Sequence, residues 1–331
     1  MNADKQIVTR HDLFLVGMPR SGTKLFRDML NRHPAVAIFP FESHFFPFFN
    51  QRFATYGDIA SRKRFSKLYA DLHQMNFFKK MNSRDLSISE SSWFENLQGS
   101  EFKDVLRAYF ECYAQLTDSH IVGDKTPAYI TQAPLLLELF PNAQFIHIVR
   151  DPRDYVISMR KAWNQNMTRA TQRWKQGIRK FHDDMDKQSA KYLEVKYESL
   201  VSEPRQCLER ACDYLEIPFD ERMLVLEEPT ENLGDAKGVL NVVRDNFDKW
   251  KTQLSHQEVQ TVESIAGALM EELGYDVSYR AGDQDVSAFR MSVARAQDSW
   301  HRFKFILREE QSVFAALARM SKMSRFRLPG G

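Results

Sequence analysis

Residues 13–25, LFLVGMPRSGTKL, decide the fold of this chain. The apolar run 13–17 predicts a buried strand, the Pro, Ser and Gly residues after it predict a tight turn, and the residues from 22 onward predict a helix. A turn of this kind between a strand and a helix points backbone N–H groups and the positive end of the helix at one place. The stretch therefore predicts an anion-binding site.

A second stretch, residues 145–158, FIHIVRDPRDYVIS, has the same organisation. Its apolar strand ends in Arg150, and the helix predicted after it carries Ser158, eight residues further on. Two strand-to-helix junctions with anion-binding residues predict a nucleotide that has phosphates at two separate positions.

The first loop resembles a Walker A loop but departs from its pattern, G-x4-G-K-[ST]. Gly17 and Gly22 have the required spacing, but Thr23 precedes Lys24, so that the lysine comes one residue late. One residue along a helix turns a side chain by about 100°. The loop matches instead the PxSGT loop of sulfotransferases that use 3'-phosphoadenosine 5'-phosphosulfate (PAPS).

The resemblance to PAPS-dependent sulfotransferases extends over roughly residues 12–276, in the order that the family has. It favours the bacterial-type branch related to tyrosylprotein and carbohydrate sulfotransferases. The further segments that carry it are MLNRHPAV at 29–36 followed by Glu42, GDKTP at 123–127, LFPNA at 139–143, VKYESL at 195–200, IPF at 217–219, KW at 249–250 and LGYD at 273–276.

Strands that alternate with helices favour a parallel sheet covered by helices. The resemblance implies the same class: an α/β, P-loop-like fold of three layers with a central parallel sheet. We expect strands at 13–17, 35–39, 121–123, 145–149 and 193–197. The polar residues 50–100 predict an irregular lid or acceptor region, and the aromatic residues 39–49 are expected to help shape the acceptor pocket.

The resemblance assigns nucleotide-binding roles to residues that match the family's motifs. The 5'-phosphosulfate falls to Ser21, Gly22 and Thr23, and the 3'-phosphate to Arg150 and Ser158. Lys24 stands where the family often has a second Thr, so it either contacts the 5'-phosphate or points to solvent. Tyr197 either borders the adenine or belongs to the core. Lys249 either reaches the 5'-phosphate or is solvated.

Catalysis of sulfuryl transfer resembles phosphoryl transfer, because positioning and electrostatics dominate an in-line displacement. The resemblance implies that Glu42 is the general base, and aromatic neighbours are expected to raise the pKa of its carboxyl group. Alternatives are His44 as the base, or a purely structural Glu42 that caps a helix or pairs with an Arg. Arg20, which also belongs to the loop, and Lys125 are expected to stabilise the leaving group.

Composition sets limits on partners and cofactors. The net charge of +2 gives no general attraction to nucleic acid, so no nucleic-acid partner is expected. Cys112, Cys207 and Cys212 have neither metal-site spacing nor a disulfide pattern. No metal is expected, because protein cations take the place that magnesium has in kinases.

The two ends of the chain add weaker expectations. Residues 1–12 contain no apolar run, which favours the cytoplasm. We expect a sulfotransferase domain at 1–280 and a basic, amphipathic helical extension at 281–331. That extension either packs on the domain or on a second subunit, or binds a membrane surface peripherally.

Two other functions remain open at this point. A P-loop kinase would share the strand–loop–helix start, but it should have a true GK[ST] and a Walker B Asp, for which Asp124 is a poor candidate after so short a strand. A non-enzymatic binding module would share the fold, although a set of retained site residues argues against it: Arg20, Glu42, Lys125, Arg150 and Ser158. The acceptor favoured here is a hydroxyl of a carbohydrate, a glycolipid or a small molecule.

Overall fold

The computed structural model describes residues 11–230, 238–240, 242–279 and 282–310. The chain divides into two compact units. The first unit consists of residues 1–150 and 177–246, and the second consists of residues 151–176 and 247–331. The predicted boundary at residue 280 concerns a C-terminal extension and stays a prediction.

The first unit contains a sheet of five strands, all parallel, in the order β2-β3-β1-β4-β5. This confirms the predicted α/β fold with a central parallel sheet. The strands are β1 His11–Gly17, β2 Val36–Ile38, β3 Ile121–Asp124, β4 Gln144–Val149 and β5 Tyr192–Lys196.

The helices lie between and beyond these strands. No helix in the described part of the chain is both long enough and apolar enough to cross a membrane. The helices are α1 Thr23–Leu30, α2 Phe46–Arg52, α3 Arg62–Leu72, α4 Asn76–Asn82, α5 Glu90–Glu95, α6 Phe102–Thr117, α7 Ala133–Leu139, α8 Pro152–Trp163, α9 Met167–Lys187, α10 Tyr197–Ser202, α11 Pro204–Tyr214, α12 Trp250–Gln253, α13 His256–Glu272 and α14 Ala288–Glu310. The 3₁₀ turns are Phe53–Tyr56, Pro127–Thr131 and Glu221–Leu224.

Strand β1 is apolar throughout its centre because it is covered on both faces. Leu13, Phe14 and Leu15 are fully buried, as expected for the middle of a parallel sheet. The ring of Phe14 packs edge-on against Phe140, with 5.2 Å between centroids, and it also contacts Phe46. The core of the first unit therefore lies directly beneath the strand that leads into the PxSGT loop.

The strand order places the predicted loops next to one another. Strand β1 has β3 on one side and β4 on the other, so the order of the chain reverses across β1. Parallel α/β sheets bind ligands at the carboxyl ends of strands at such a reversal. The residues that follow β1, β3 and β4 all leave the sheet at this edge, and they include the PxSGT loop, Lys125 and Arg150.

The expectation that residues 50–100 are irregular is wrong. The helices α3, α4 and α5 occupy much of this region, and each buries aromatic side chains, such as Phe65, Phe78 and Trp93. The apolar residues of α3 recur at the three- and four-residue spacing of one helix face. Polar residues between them hid this periodicity in the sequence.

The aromatic residues 39–49 form mainly core rather than a pocket wall. Phe39, Phe45, Phe46 and Phe49 are at most 2% exposed, whereas Phe48 is 40% exposed. Phe39 packs against the α6 residue Phe110, with 5.1 Å between ring centroids. The predicted role of this segment in shaping the acceptor pocket stays a prediction.

The second unit is organised around a buried ion pair. The guanidinium of Arg153, on α8, donates to Glu263, on α13, at 2.9 Å, and to Asp151 at 2.7 Å. Glu263 is fully buried and also accepts hydrogen bonds from the backbone N–H groups of Ser278 and Tyr279. These contacts give the buried charges of Arg153 and Glu263 opposite charges or hydrogen-bond partners.

Candidate active site

The PxSGT loop turns through two left-handed residues. Arg20 has φ 71° and Gly22 has φ 89°. Between them, the buried Ser21 donates its backbone N–H to the carbonyl of Met18 at 3.1 Å. Helix α1 begins at Thr23, and no side chain at its N-cap caps its first turn. The first-turn N–H groups of a helix have no intrahelical partner, so they are available to an anion.

Both glycines of the loop are required by close contacts. A Cβ atom on Gly17 would lie 2.6 Å from the carbonyl oxygen of Ile148, on the neighbouring strand. A Cβ atom on Gly22 would lie 2.4 Å from Cδ2 of Tyr197. The glycine spacing that resembles a Walker A loop is therefore used here for close approach of β4 and of an aromatic ring.

Lys24 is the second residue of helix α1, next to the proposed anion-binding turn, and its side chain has protein partners. Its ammonium group donates to the carbonyl of Thr230 and lies 3.9 Å from the carboxylate of Asp28, four residues along α1. Its side chain is one-third exposed. The structure thus gives Lys24 contacts besides the two that the sequence suggested, and its proposed contact with the 5'-phosphate stays a prediction.

Arg150 follows β4 and is buried, with 7% exposure. Its guanidinium donates to the carbonyl oxygens of Arg20, at 3.1 Å, and Asn246, at 3.2 Å. It also lies 4.2 Å from the centroid of the Tyr197 ring. Arg150 is therefore positioned by the PxSGT loop itself, which brings together two motifs that are 130 residues apart.

Tyr197 is the first residue of α10 rather than the last residue of the strand that was predicted at 193–197. It is 5% exposed, and its hydroxyl accepts a hydrogen bond from the side-chain amide of Asn246 at 2.6 Å. Its ring contacts both Gly22 and Arg150. Sequence reasoning did not identify Asn246, which lies outside the segments that carry the family resemblance.

Glu42 and Lys125, the proposed base and a proposed leaving-group cation, are bonded to each other. Nζ of Lys125 donates to Oε1 of Glu42 at 2.6 Å, and Nε2 of His44 lies 2.8 Å from Oε2. The Lys125 side chain is 6% exposed, the Glu42 side chain 38% and the His44 side chain 48%. The carboxylate thus reaches the surface with one partner on each oxygen.

The expectation that the pKa of Glu42 is raised is wrong. Burial does oppose ionisation, but the hydrogen bond with His44 and the charge and hydrogen bond of Lys125 outweigh it. Together they lower the pKa of Glu42 to about 2. Aromatic neighbours in the sequence could not reveal this, because one of the two partners that lower the pKa, Lys125, is 83 residues away in the chain.

A buried network holds the backbone around this carboxylate. The backbone N–H of Ser43 donates to Oγ1 of Thr126 at 3.0 Å, and Oγ of Ser43 hydrogen-bonds the hydroxyl of Tyr129 at 2.8 Å. Ser43, Thr126 and Tyr129 are buried. Sequence reasoning missed Ser43 and Tyr129, although Ser43 directly follows Glu42 and Tyr129 lies two residues beyond the GDKTP segment.

Ser158 and Lys249 lie in the second unit. Ser158 is half-buried on α8, one turn beyond Asp154, and Lys249 directly precedes α12. The backbone N–H of Trp250 donates to Asp154 at 2.9 Å, and the guanidinium of Arg153 stacks on the Trp250 ring at 3.7 Å. These contacts attach the Lys249 segment to α8. The joint action of Ser158 with Arg150 stays a prediction.

One group of potential metal ligands occurs in the described residues, formed by His147, His182 and Glu194. Nδ1 of His147 lies 3.1 Å and Nε2 of His182 lies 2.8 Å from the same carboxylate oxygen of Glu194. Metal-bound histidines usually donate their second ring N–H to an acceptor. Nε2 of His147 is buried without a described partner. This group fits a carboxylate that accepts two hydrogen bonds better than a metal site.

Comparison with known proteins places the chain among sulfotransferases. A profile of the Sulfotransferase family matches residues 12–221. The chain is 27% identical over 295 residues to protein-tyrosine sulfotransferase A of Caenorhabditis elegans, covering 80% of this chain and 67% of that protein. It is 23% identical to protein-tyrosine sulfotransferase of Drosophila melanogaster, covering 80% of this chain and only 51% of that protein.

This chain is also similar to a bacterial relative and to a solved sulfotransferase structure. Nodulation protein NoeE of Sinorhizobium fredii is 24% identical, covering 80% of this chain and 66% of that protein. The solved sulfotransferase domain from the curacin biosynthetic pathway has a TM-score of 0.53 and 23% identity, covering 82% of this chain and all of that one. The latter supports the same fold.

The chain belongs to the sulfotransferase family. This membership confirms the enzyme class that the sequence predicted, a PAPS-dependent sulfotransferase, and it decides against the kinase alternative. Enzymes of this class act on an acceptor that carries a hydroxyl group.

Proposed function

We propose that this protein transfers the sulfuryl group of PAPS to a hydroxyl of a carbohydrate, a glycolipid or a small molecule. The observation that carries the proposal is the placement of four motifs in one unit at one edge of the sheet. The PxSGT loop, Lys125 and Arg150 follow neighbouring strands, and Glu42 is bonded to Lys125. Anion-binding groups and a candidate base therefore occur together.

The donor nucleotide is assigned to the residues that the motifs supply. Arg20, Ser21, Gly22, Thr23 and Lys24 would hold the 5'-phosphosulfate by backbone N–H groups, a hydroxyl and positive charge. The buried guanidinium of Arg150 supports a role at the 3'-phosphate, because arginine recognises phosphate in a planar, bidentate manner. Ser158, Tyr197 and Lys249 complete the proposed set at the 3'-phosphate, the adenine and the 5'-phosphate. No metal is included.

The proposed reaction is an in-line displacement at sulfur. A bond forms between the acceptor oxygen and sulfur while the bond from sulfur to the bridging phosphate oxygen breaks. The acceptor proton goes to Glu42, and negative charge develops on the phosphate oxygen, where Lys125 and Arg20 would stabilise it. Glu42→Gln keeps the shape of the side chain and should lower kcat about 10²–10⁴-fold.

The side chain of a protein tyrosine is the second candidate acceptor. The observation that favours it is that relatives over 80% of this chain are protein-tyrosine sulfotransferases by name. Another relative, nodulation protein NoeE, does not carry that name. The half-exposed position of Glu42 suits either kind of acceptor.

A screen for sulfuryl transfer tests the choice of acceptor. Purified protein is supplied with PAPS and, separately, with oligosaccharides, glycolipids, small alcohols and phenols, and tyrosine-containing peptides, with Glu42→Gln as the inactive control. Transfer to carbohydrate, glycolipid or small-molecule hydroxyls supports the proposal. Transfer to peptide tyrosine alone would contradict it and leave the second candidate.

We also propose a cytoplasmic site of action, which the buried free thiols Cys112, Cys207 and Cys212 suit because disulfides are rare there. Cell fractionation tests this.

For the basic tail, the favoured role is packing on the protein. Asp298 of α14 is buried and accepts from the backbone N–H of Asn166 at 2.7 Å. The alternatives, self-association and peripheral membrane binding, would use the exposed Phe289 and Trp300 and are tested by sedimentation alone and with anionic vesicles.

A further inference from the structure

We propose that Lys125 has two anionic partners in succession, Glu42 before the nucleotide binds and the 5' anionic group of the nucleotide afterwards, so that donor binding releases the base. This rests on the proposed function. It assigns to one lysine the coupling between the donor site and proton removal, and it gives His44 the role of a positioning residue that keeps the Glu42 carboxylate in place.

The first support is the environment of the ammonium group. Lys125 is almost completely buried, and a buried charge needs an opposite charge or hydrogen-bonding partners. Among the described residues, its hydrogen-bonded partner is Glu42, at 2.6 Å. The lysine that is proposed to serve the nucleotide is thus hydrogen-bonded to the proposed base. Its compact charge on a flexible four-carbon stem can change partner without movement of the backbone.

The second support is the rigidity of the backbone on both sides of the pair. The backbone N–H of Phe39 donates to the carbonyl of Gly123 at 2.8 Å, and the backbone N–H of Ser43 donates to Oγ1 of Thr126 at 3.0 Å. The segments that carry Glu42 and Lys125 are therefore fastened together before and after each residue. A change in the pair can come from rotation of side chains.

The third support is His44, which is the second hydrogen-bonding partner of the Glu42 carboxylate. His44 has a left-handed backbone with φ 55°, a conformation that non-glycine residues rarely adopt. Strained residues of this kind cluster at functional sites. Here the strain brings Nε2 of His44 to 2.8 Å from Glu42 Oε2. When Lys125 leaves, His44 still holds the carboxylate by this oxygen.

The consequence for catalysis follows from the charges that face Glu42. These are Lys125 and His44, and the buried Asp124 lies next to Lys125 in the chain. While both His44 and Lys125 are bonded to it, Glu42 has a pKa of about 2 and is a weak proton acceptor. A general base works best when its pKa is near the working pH. Transfer of Lys125 to the nucleotide raises the pKa of Glu42 and places the cation where the leaving oxygen gains charge.

Linkage makes the exchange measurable without turnover. If Glu42 and the nucleotide compete for Lys125, then removing the charge of Glu42 must strengthen nucleotide binding. Calorimetric titration with 3'-phosphoadenosine 5'-phosphate (PAP) is performed on the wild type, Glu42→Gln, Lys125→Gln and the double variant. We expect Glu42→Gln to bind PAP about 5- to 10-fold more tightly, in the usual range of coupling between sites. In the Lys125→Gln background the same change should alter the affinity less than twofold.

Glu95→Gln, an exposed carboxylate on α5, is the matched control and should not change PAP affinity. Equal tightening with and without Lys125 would overturn the proposal, because it would reflect only repulsion between two anions. Unchanged or weaker binding by Glu42→Gln would also overturn it. Absence of PAP binding by the wild type would overturn the proposed function itself.

A second readout does not need a Lys125 variant. PAP binding is titrated between pH 5 and 7 in buffers of different ionisation enthalpy, which gives the number of protons taken up. The wild type should take up more protons than Glu42→Gln, because the pKa of Glu42 rises when Lys125 leaves. The nucleotide's own phosphates contribute equally to proton uptake in both proteins, so their contribution cancels in the comparison. Equal uptake by the wild type and Glu42→Gln would contradict the exchange.

Discussion

The ring of Tyr197 occupies the space that a side chain on Gly22 would need, because a Cβ atom there would lie 2.4 Å from Cδ2 of the ring. The guanidinium of Arg150 lies over the same ring, at 4.2 Å from its centroid. One buried aromatic residue therefore supports both the loop assigned to the 5'-phosphosulfate and the arginine assigned to the 3'-phosphate.

Gly22→Ala should destabilise the protein and abolish nucleotide binding. The added methyl group meets the Tyr197 ring, and the left-handed backbone at φ 89° adds strain of about 1–2 kcal/mol for a non-glycine residue. We expect the free energy of unfolding to fall by more than this strain alone. Urea denaturation measures the loss, and a thermal shift with PAP measures binding.

Gly238→Ala is the matched control for this variant. Gly238 has a similar φ of 72°, but a Cβ atom there would have no neighbour within 4 Å. Gly238→Ala should lose only the stability that corresponds to the backbone strain, and it should keep PAP binding. If the two variants lost equal stability, the contact between position 22 and Tyr197 would not matter.

Arg150→Ala should weaken the binding of PAP more than the binding of AMP, which lacks the 3'-phosphate. The loss of charge-assisted hydrogen bonds is worth roughly 1.5–3 kcal/mol, which corresponds to about 10- to 100-fold in affinity. Arg205→Ala, at an exposed arginine of α11, should leave both affinities unchanged. Equal losses for PAP and AMP would remove Arg150 from the 3'-phosphate site.

The order of strands and helices could be predicted because the motifs are local. A strand, a turn and a helix are all encoded within residues 13–25, and the structure puts β1 and α1 there. Each of the two motifs that were expected to bind phosphate is also a single run of consecutive residues, so each could be recognised in the sequence. Helices α3 to α5 could not be predicted, because polar residues dilute their apolar faces.

The pairing of charges could not be predicted, because it depends on distant parts of the chain. Glu42 and Lys125 are 83 residues apart, and each was assigned separately to a role toward a ligand. Sequence alone does not say whether two such groups face the ligand or each other. Arg153 and Glu263, 110 residues apart, present the same difficulty.

Arg153→Ala should strongly destabilise the second unit. Arg153 is 3% exposed and Glu263 is fully buried, so the variant leaves a buried carboxylate without its cation, at a cost of about 3–5 kcal/mol. Arg160→Ala, on the same helix, breaks a pair with Glu258 that is 41% and 29% exposed, and it should cost under about 1 kcal/mol. Urea denaturation compares the two. Similar losses would contradict the importance of burial.

Asp124→Asn should stabilise the protein at neutral pH. Burial raises the pKa of Asp124 from 3.8 to about 6, against the effects of Thr126, Ser43, His44 and Lys125. The native state therefore binds the proton more tightly than the unfolded state, and wild-type stability falls as the pH rises from about 4 to about 6.

The stabilising effect of Asp124→Asn should disappear below about pH 4, where the wild-type carboxyl is protonated in both states. Thermal unfolding at pH 4, 5, 6 and 7 measures this dependence. Asp85→Asn, at an exposed aspartate, should show no such dependence. A variant of Asp124 that is less stable than the wild type at pH 7 would show that the ionised carboxylate is needed for folding.

The central claim is that the loop after β1 and Arg150 bind one nucleotide with two separated phosphates. The most direct test is thermal unfolding with PAP in the absence of metal, compared with AMP and with ADP plus magnesium. Binding to the native state alone should stabilise it by about 2.7 kcal/mol at one hundred times Kd. We predict a clear shift with PAP and little with ADP. No shift with PAP, together with a shift with ADP and magnesium, would contradict the account.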